Sequence, residues 1–426
     1  MFTNTRSLIK NHGGLIAICF LLLFFSVFGQ SLFFGLYLPD IQADLDLTKT
    51  SLGLLYACAT VLSSIVVIYS AKKLDVWPLR IFVAFTLVGL AVGCFAMSLS
   101  YTLPGLFLAF FLLRHFGQGL MTISSNATIN RYLTENRGKA TALRGLGAPL
   151  QLVVFPFLVY AIADYIDWRT AWLYYGAFIL LVLLPSFWYF LKSHQRTTHA
   201  KWAADMKQAE ADAKAAADAQ AENGKPVKAA LLNWSVADVL KDWRIYGLIA
   251  ISFISPFTGT VIFFYQADVA ASLDLTPLGF ATAFPFLTIA MVLSSLGTGG
   301  VIDSYGEKPA LVSYPIIYGL GLFVLTQSVN MLTLYAAMTL IGIGSGIMMT
   351  TGGPLLANLY GTKYLSSVKS LVFSSAIVAS AISPFLFGYL MDQGVDILNI
   401  FLGVVAYSAV IWVVAIPLCS VEKYRG

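Results

Sequence analysis

The sequence predicts an all-α membrane protein of twelve transmembrane helices, arranged as two six-helix bundles related by an internal repeat. Three observations predict it. Hydrophobic residues make up 58% of the 426-residue chain and charged residues only 11%, against roughly 25% charged in ordinary soluble domains. Largely apolar stretches of roughly 20 residues, the length a helix needs to cross the hydrocarbon core, recur twelve times. The last six of these match the first six at a constant offset of 228 residues.

In chain order, the first spans run approximately 14 to 38, 51 to 71, 80 to 100, 103 to 129, 140 to 163 and 170 to 191. Arg6 and Lys10 precede the first as they would a secretory signal, but the run is too long for one and eleven spans follow, so it is expected to be retained. Residues 192 to 242 are polar and rich in Ala, Lys, Asp and Glu, which predicts a linker. Its part from Lys201 to Glu222 has good helix formers without an apolar stripe and reads as a solvated helix or tether. Trp234, Val236, Val239, Leu240 and Trp243 predict a short interfacial helix. The second set of spans runs approximately 244 to 266, 277 to 302, 309 to 327, 331 to 357, 367 to 390 and 397 to 419. The expected domains are therefore bundles at 1–191 and 243–426, joined by the linker at 192–242.

Lys and Arg concentrate on the side of the termini, while the opposite loops hold only Lys49 and Arg169, and Arg114 and Arg144 lie within spans. Positive charge stays inside, so both termini are expected in the cytoplasm, with the chain in the cell membrane. That topology accounts for the net charge of +5 without a nucleic acid partner. Cys19, Cys58, Cys94 and Cys419 fall inside spans at no metal-ligand spacing, where a thiol acts as a small apolar residue.

The repeat holds without a gap. It brings Tyr37 onto Tyr265, Asp40 onto Asp268, and Leu45-Asp46-Leu47-Thr48 onto Leu273-Asp274-Leu275-Thr276; further on, Asp75 meets Asp303, Pro156 meets Pro384 and Asp164 meets Asp392. Six spans per copy put the two halves in parallel orientation.

Between the eighth and ninth spans, Gly299-Gly300-Val301-Ile302-Asp303-Ser304-Tyr305-Gly306-Glu307-Lys308 places a glycine, an acid, a second glycine and a base at fixed spacing. Its first-half copy, Ala71-Lys72-Lys73-Leu74-Asp75-Val76-Trp77-Pro78-Leu79-Arg80, keeps the acid and the base but has Ala and Pro for the glycines. This pattern resembles the loop signature of the major facilitator superfamily. The likeness implies secondary transport by alternating access, and a role for Asp75, Arg80, Asp303 and Lys308 in conformational gating; the same residues serve equally well as turn caps. Arg114-His115-Phe116-Gly117-Gln118-Gly119, Arg131-Tyr132, Arg137-Gly138-Lys139-Ala140 and Tyr360-Gly361-Thr362-Lys363-Tyr364-Leu365 are similar to the monocarboxylate and oxalate/formate branch. The eighth span departs from that branch, since it carries no mid-membrane cation.

An ionised side chain within a span marks a site by default. Arg114 lies midway along the fourth span, and Gln118, Thr122 and Ser125 or Asn126 follow at three- or four-residue steps on one face. A guanidinium fits a carboxylate in bidentate fashion, so a small organic anion is the expected ligand; Arg114 serves alternatively as a structural tie or a proton relay. Arg144 lies just inside the fifth span, near enough to its end to snorkel, with Gln151 two turns on. Gln30 and Tyr37 in the first span, and Tyr265 and Gln266 at the seventh, are neutral candidates from the two halves. His115 points away from Arg114 around the helix, and Asp40 and Asp268 are acids at the outer ends of spans one and seven.

No hydrolytic triad, metal cluster or nucleotide loop is visible, and the glycine runs at Gly145 to Gly147 and Gly342 to Gly353 lie in apolar helices, where they permit close packing and bending. No enzyme and no cofactor are expected. The expected partners are a small-molecule substrate, the lipid bilayer, and a coupling ion or counter-transported anion, with the protein working as a monomer. A small monocarboxylate-like anion is the preferred substrate. An exporter of larger amphiphilic compounds and a non-transporting membrane sensor are the alternatives.

Overall fold

The computed structural model describes residues 2–133, 137–194, 234–361 and 364–418. Among them there is no strand, and twelve helices are long and apolar enough to cross a membrane. In the first repeat these are α1 (His12–Leu45), α2 (Lys49–Ser70), α3 (Leu79–Ser98), α4 (Leu103–Ile129), α5 (Gly138–Ala163) and α6 (Trp168–Lys192). In the second they are α7 (Trp243–Phe264), α8 (Pro277–Tyr305), α9 (Lys308–Thr326), α10 (Met331–Tyr360), α11 (Ser367–Asp392) and α12 (Ile397–Leu418). The first span is longer than the sequence suggests, because the helix runs through Pro39 to Leu45. The tether at Lys201 to Glu222, Thr362, Lys363 and Cys419 lie outside the described residues. Along α8, Ile289, Leu293 and Leu296 are exposed at helical spacing, a stripe that suits hydrocarbon rather than water.

The repeat reaches the backbone. Asp46 (φ 49°) and Asp274 (φ 54°) are the non-glycine residues with positive φ among those described, and they are repeat mates. Each occupies the left-handed region that Asp tolerates better than most side chains. Two residues on, Thr48 and Thr276 cap the helices that follow, accepting from the Ser51 amide at 3.1 Å and the Gly279 amide at 3.0 Å.

Contacts gather the chain into two compact units, one of Met1–Gln30, Leu62–Gln151 and Arg169–Ala230, the other of Ser31–Val61, Leu152–Trp168 and Leu231–Gly426. In the first unit, Leu15, Ile16 and Cys19 of α1 pack with Ile129 of α4, Leu133 just beyond it and Ala140 of α5 in one apolar cluster. Burial of such side chains removes roughly 25 cal/mol per Å² from the unfavourable side of the balance wherever water is the alternative. In the second unit, the later part of α1 packs on α7, and Tyr56 of α2 lies 4.7 Å from the ring of Phe264.

The interfacial segment forms as one turn, Val236–Val239, opened by a reciprocal capping box between Ser235 and Asp238. The Trp234 amide donates to the Tyr360 carbonyl at 3.1 Å, and their rings pack at 5.8 Å. Asp242 then caps α7 and pairs with Arg244 at 2.8 Å.

Candidate functional site: a polar seam along the first span

The α1 helix is regular to Phe24, tightens to a 3-10 turn over Phe25–Gly29, and is extended at Gln30 (φ −92°, ψ 153°) before resuming at Ser31. A break of this kind frees backbone groups from their ladder, and inside a membrane each must find another partner. Side chains of α4 and α5 bond to the α1 backbone at the break and in the turns before it. Ser125 Oγ donates to the Cys19 carbonyl at 2.6 Å. The Gln151 amide donates to the Leu23 carbonyl and, at 3.1 Å, to Ser26 Oγ, which itself donates to Leu23 at 2.6 Å. Arg114 Nη1 donates to the Gly29 carbonyl at 3.1 Å. Cys19, Leu23, Ser26 and Gln30 follow at steps of four, three and four, so the seam runs down one face of α1.

Close approach makes these bonds geometrically possible. A Cβ at Gly29 would stand 2.6 Å from the Gln118 amide nitrogen and 2.9 Å from the Gly117 Cα, distances no side chain tolerates, so glycine is required where α1 crosses α4. At the crossing α4 is π-helical over Arg114–Met121. One extra residue per turn there rotates Arg114 relative to the helix beyond it, a distortion frequent at functional sites.

Two guanidiniums are buried along this seam, Arg114 with 1% of its surface exposed and Arg144 with 9%. Acids in the first-repeat spans occur only near an end of α1, at Asp40 and Asp44. Arg144 Nη1 donates to Ser125 Oγ at 3.2 Å, while its buried Nε has no hydrogen-bond partner among the described residues. Desolvating a charge this far is costly unless a counter-charge or further hydrogen bonds compensate.

Of the predicted binding residues, Gln30 and Gln151 meet at Ser26, Gln30 through a long 3.5 Å contact. Arg114 joins the same face through Gly29, and Arg144 joins it through Ser125. Gln118 is half-buried beside Gly29. Ser125 rather than Asn126 turns inward, Asn126 being exposed. His115 packs between Phe111 and Phe116, with Nε2 3.2 Å from Ser70 Oγ. Ser125 lies on the face that helical spacing marked out from Arg114, whereas Ser26 was not among the sequence-based candidates; a serine at helical spacing from Gln30 is the signal.

Tyr37, Tyr265 and Gln266 belong to the second unit. Tyr37 is buried with its ring 5.8 Å from Phe33. Its repeat mate Tyr265 stands at the turn between α7 and a short helix Gln266–Ser272, with its hydroxyl, a single donor, shared between the Lys49 carbonyl at 3.0 Å and the Pro384 carbonyl at 2.8 Å. Gln266 donates to the Leu32 and Phe263 carbonyls at 3.0 and 3.1 Å. Both are held by backbone.

Of the gating candidates, Asp75 falls in the one-turn helix Lys73–Val76, and its side chain lies outside the described residues. Arg80 lies 4.3 Å over the Trp188 ring, a cation–π contact. Asp303 and Lys308 are exposed. Gly306 between them has φ 77°, the left-handed turn for which glycine is suited. The neighbouring Glu307, absent from the sequence-based candidates, accepts from Asn358 Nδ2 at 2.6 Å and ties the loop to α10. Among the described residues no group of His, Cys, Asp and Glu is placed to hold a metal ion.

The sequence matches the family model of the Major Facilitator Superfamily over residues 19–313 and 248–423. No curated protein sequence matches the chain. Several solved structures share its fold. The nucleoside transporter NupG superimposes with a TM-score of 0.70 at 13% identity, covering 97% of this chain and 99% of NupG. A D-xylose–proton symporter gives 0.70 at 14% identity over 96% and 97% of the two chains. A bacterial homolog of the human lysosomal transporter Spinster, in an inward-facing and occupied conformation, gives 0.67 at 11% identity over 95% of each chain. At these identities the likeness is one of fold, and the family model supplies the membership: the chain belongs to the major facilitator superfamily.

Proposed function

We propose that the protein is a secondary active transporter of a small, monocarboxylate-like organic anion, working by alternating access in a cell membrane with both termini in the cytoplasm. Its moving parts are the two six-helix bundles at 1–191 and 243–426, joined by the linker at 192–242. The observation that carries the anion is Arg144, a buried guanidinium whose Nε has no hydrogen-bond partner among the described residues. Arg114, farther along the same seam, is the second cation, and Gln118, Gln151 and Gln30 offer neutral donors around them. A carboxylate accepts several hydrogen bonds at once and offsets a buried positive charge. Coupling then comes from exchange of one anion for another or from a co-transported ion.

A second reading, export of larger amphiphilic compounds, is favoured by the polar groups of the second unit. Those around α7 and α9 are neutral and aromatic-rich, with Thr258 Oγ1 2.8 Å from Tyr318 Oη and the Ser255 amide donating to Tyr314 Oη at 3.0 Å. Thermal unfolding of the purified protein in the presence of short mono- and dicarboxylates, amino acids and lipophilic cations separates the two, because a ligand that binds only the folded state raises its stability by mass action. A carboxylate should raise the melting temperature of the wild type and not of Arg144→Ala. Stabilisation by bulky cations alone replaces the first reading with the second.

A further inference from the structure

In the second unit, elements separated by more than 200 residues are tied at the ends of α2, α7 and α11. Twelve spans put the loops after α1, α7 and α11 on the face opposite the termini, and the ties gather there. Lys49, at the start of α2, forms an ion pair through Nζ with Asp268, just past α7, with about a quarter of each side chain exposed. Asp392, the last residue of α11, caps α2 from the other repeat: its carboxylate accepts from the Lys49 amide at 3.3 Å, the Thr50 amide at 2.7 Å and Thr50 Oγ1 at 2.5 Å. Tyr265 closes the group, its hydroxyl shared between the Lys49 carbonyl of the first repeat and the Pro384 carbonyl of the second. A helix N-terminus gains from a carboxylate, so each tie stabilises the closed arrangement.

The internal repeat shows that this device is one-sided. Asp40 and Asp164 are the repeat mates of Asp268 and Asp392, and both are exposed. The mate of Lys49 is Pro277, which has neither an ammonium group nor an amide hydrogen to donate. The mirror images of the Lys49 ion pair and of the Lys49 amide bond are therefore chemically unavailable, so these two ties exist on one side of the repeat alone.

We infer that Lys49, Asp268, Asp392 and Tyr265 form a latch that holds this face closed, and that releasing it is the step that opens the face during the transport cycle. The inference rests on the alternating-access reading for its functional meaning, but its physical content is a distance. Spin labels at Ala43→Cys and Asn399→Cys, two exposed sites flanking the latch on opposite repeats, report that distance in a cysteine-free background reconstituted in liposomes. The otherwise wild-type chain is expected to give one dominant short distance. Lys49→Ala and Asp268→Asn should each raise the population of a longer distance several-fold, and the exchange Lys49→Asp with Asp268→Lys should restore the short one. Tyr265→Phe removes a single hydroxyl and carries the same expectation, so it serves if a charge variant is not recovered folded. Unchanged distances in the folded variants, or an exchange variant that stays open, overturn the latch. The outcome is independent of substrate: distances that respond while no solute crosses the membrane would keep the latch and remove the transport reading.

Discussion

Arg114 donates from Nη1 to the carbonyl of Gly29 at 3.1 Å, and so pins the break in the first span to the π-helical segment of the fourth. The bond joins two local irregularities, and supplies a partner for a carbonyl at the one that leaves the helical ladder. It also means that Arg114 has structural work whether or not it touches a substrate.

The two roles separate by substitution. Arg114→Ala strands the Gly29 carbonyl and should cost about 1.5 to 3 kcal/mol, the range for a hydrogen bond to a charged group. Arg114→Lys keeps the charge and a single donor, and should recover part of that stability. It loses the planar fork, so uptake of the anion should still fall about tenfold, which corresponds to ~1.4 kcal/mol. Thermal unfolding and uptake, measured on the same preparations, check both; a Lys variant with wild-type uptake removes Arg114 from the binding site.

At Arg144 the expectation is a divergence between stability and activity. Replacing a buried charge by an apolar side chain of similar size is often neutral or stabilising. Arg144→Met should therefore melt at or above the wild-type temperature and yet lose stabilisation by carboxylates. A variant that is both destabilised and still stabilised by carboxylates would assign Arg144 to structure instead.

Glycine 29 has no room for a methyl group, since the Gln118 nitrogen and Gly117 Cα stand 2.6 and 2.9 Å from the position of a Cβ. Gly29→Ala should displace α1 from α4 and lower the yield of folded protein, at a cost within the ~1–3 kcal/mol typical of overpacking. Gly403 in α12 has open space around the same position, and Gly403→Ala should be neutral or stabilising by up to about 1 kcal/mol through helix propensity. Melting temperatures of the pair test the crossing geometry directly.

The turn ahead of α7 gives a pH dependence. Hydrogen bonds from the Ser235 hydroxyl and amide hold the Asp238 carboxyl below its ordinary value of 3.8. A carboxylate favoured in the folded state stabilises it above the unfolded pKa, and that contribution is lost as the pH falls through the depressed folded value. Ser235→Ala should bring Asp238 back toward its ordinary value, as read by carboxyl NMR of Asp-labelled protein. No change in that titration would mean that the capping box does not form in solution.

Much of the fold was legible because hydrophobic length and internal repetition are properties of the chain itself. The repeat paired Asp46 with Asp274, and both take positive φ, a backbone match that the alignment itself does not state. The breaks were not legible: Phe25 to Gly29 is as apolar as a regular helix apart from Ser26 and Gly29, and no residue type announces the π-helical stretch at Arg114. Within the seam, helical spacing placed Arg114 and Ser125 on one face, but left open which partner each would find. The pairing of Lys49 with Asp268 was invisible for a different reason. It spans 219 residues of sequence, and in one chain both read as ordinary charges near helix ends. The repeat pairs Tyr37 with Tyr265 but does not say what either touches: the Tyr37 ring lies 5.8 Å from Phe33, and the Tyr265 hydroxyl is shared between two carbonyls.

The central claim, transport of a small organic anion by a buried cationic seam, is tested most directly by flux in proteoliposomes. Purified protein would be reconstituted with an internal short carboxylate, and uptake of a labelled carboxylate followed for wild type, Arg144→Met and Arg114→Lys. The account predicts saturable uptake by the wild type, competition by other short carboxylates but not by lipophilic cations, and a loss of about tenfold or more in each variant. Uptake equal to that of protein-free liposomes for every carboxylate, or equal uptake by all three proteins, would contradict it.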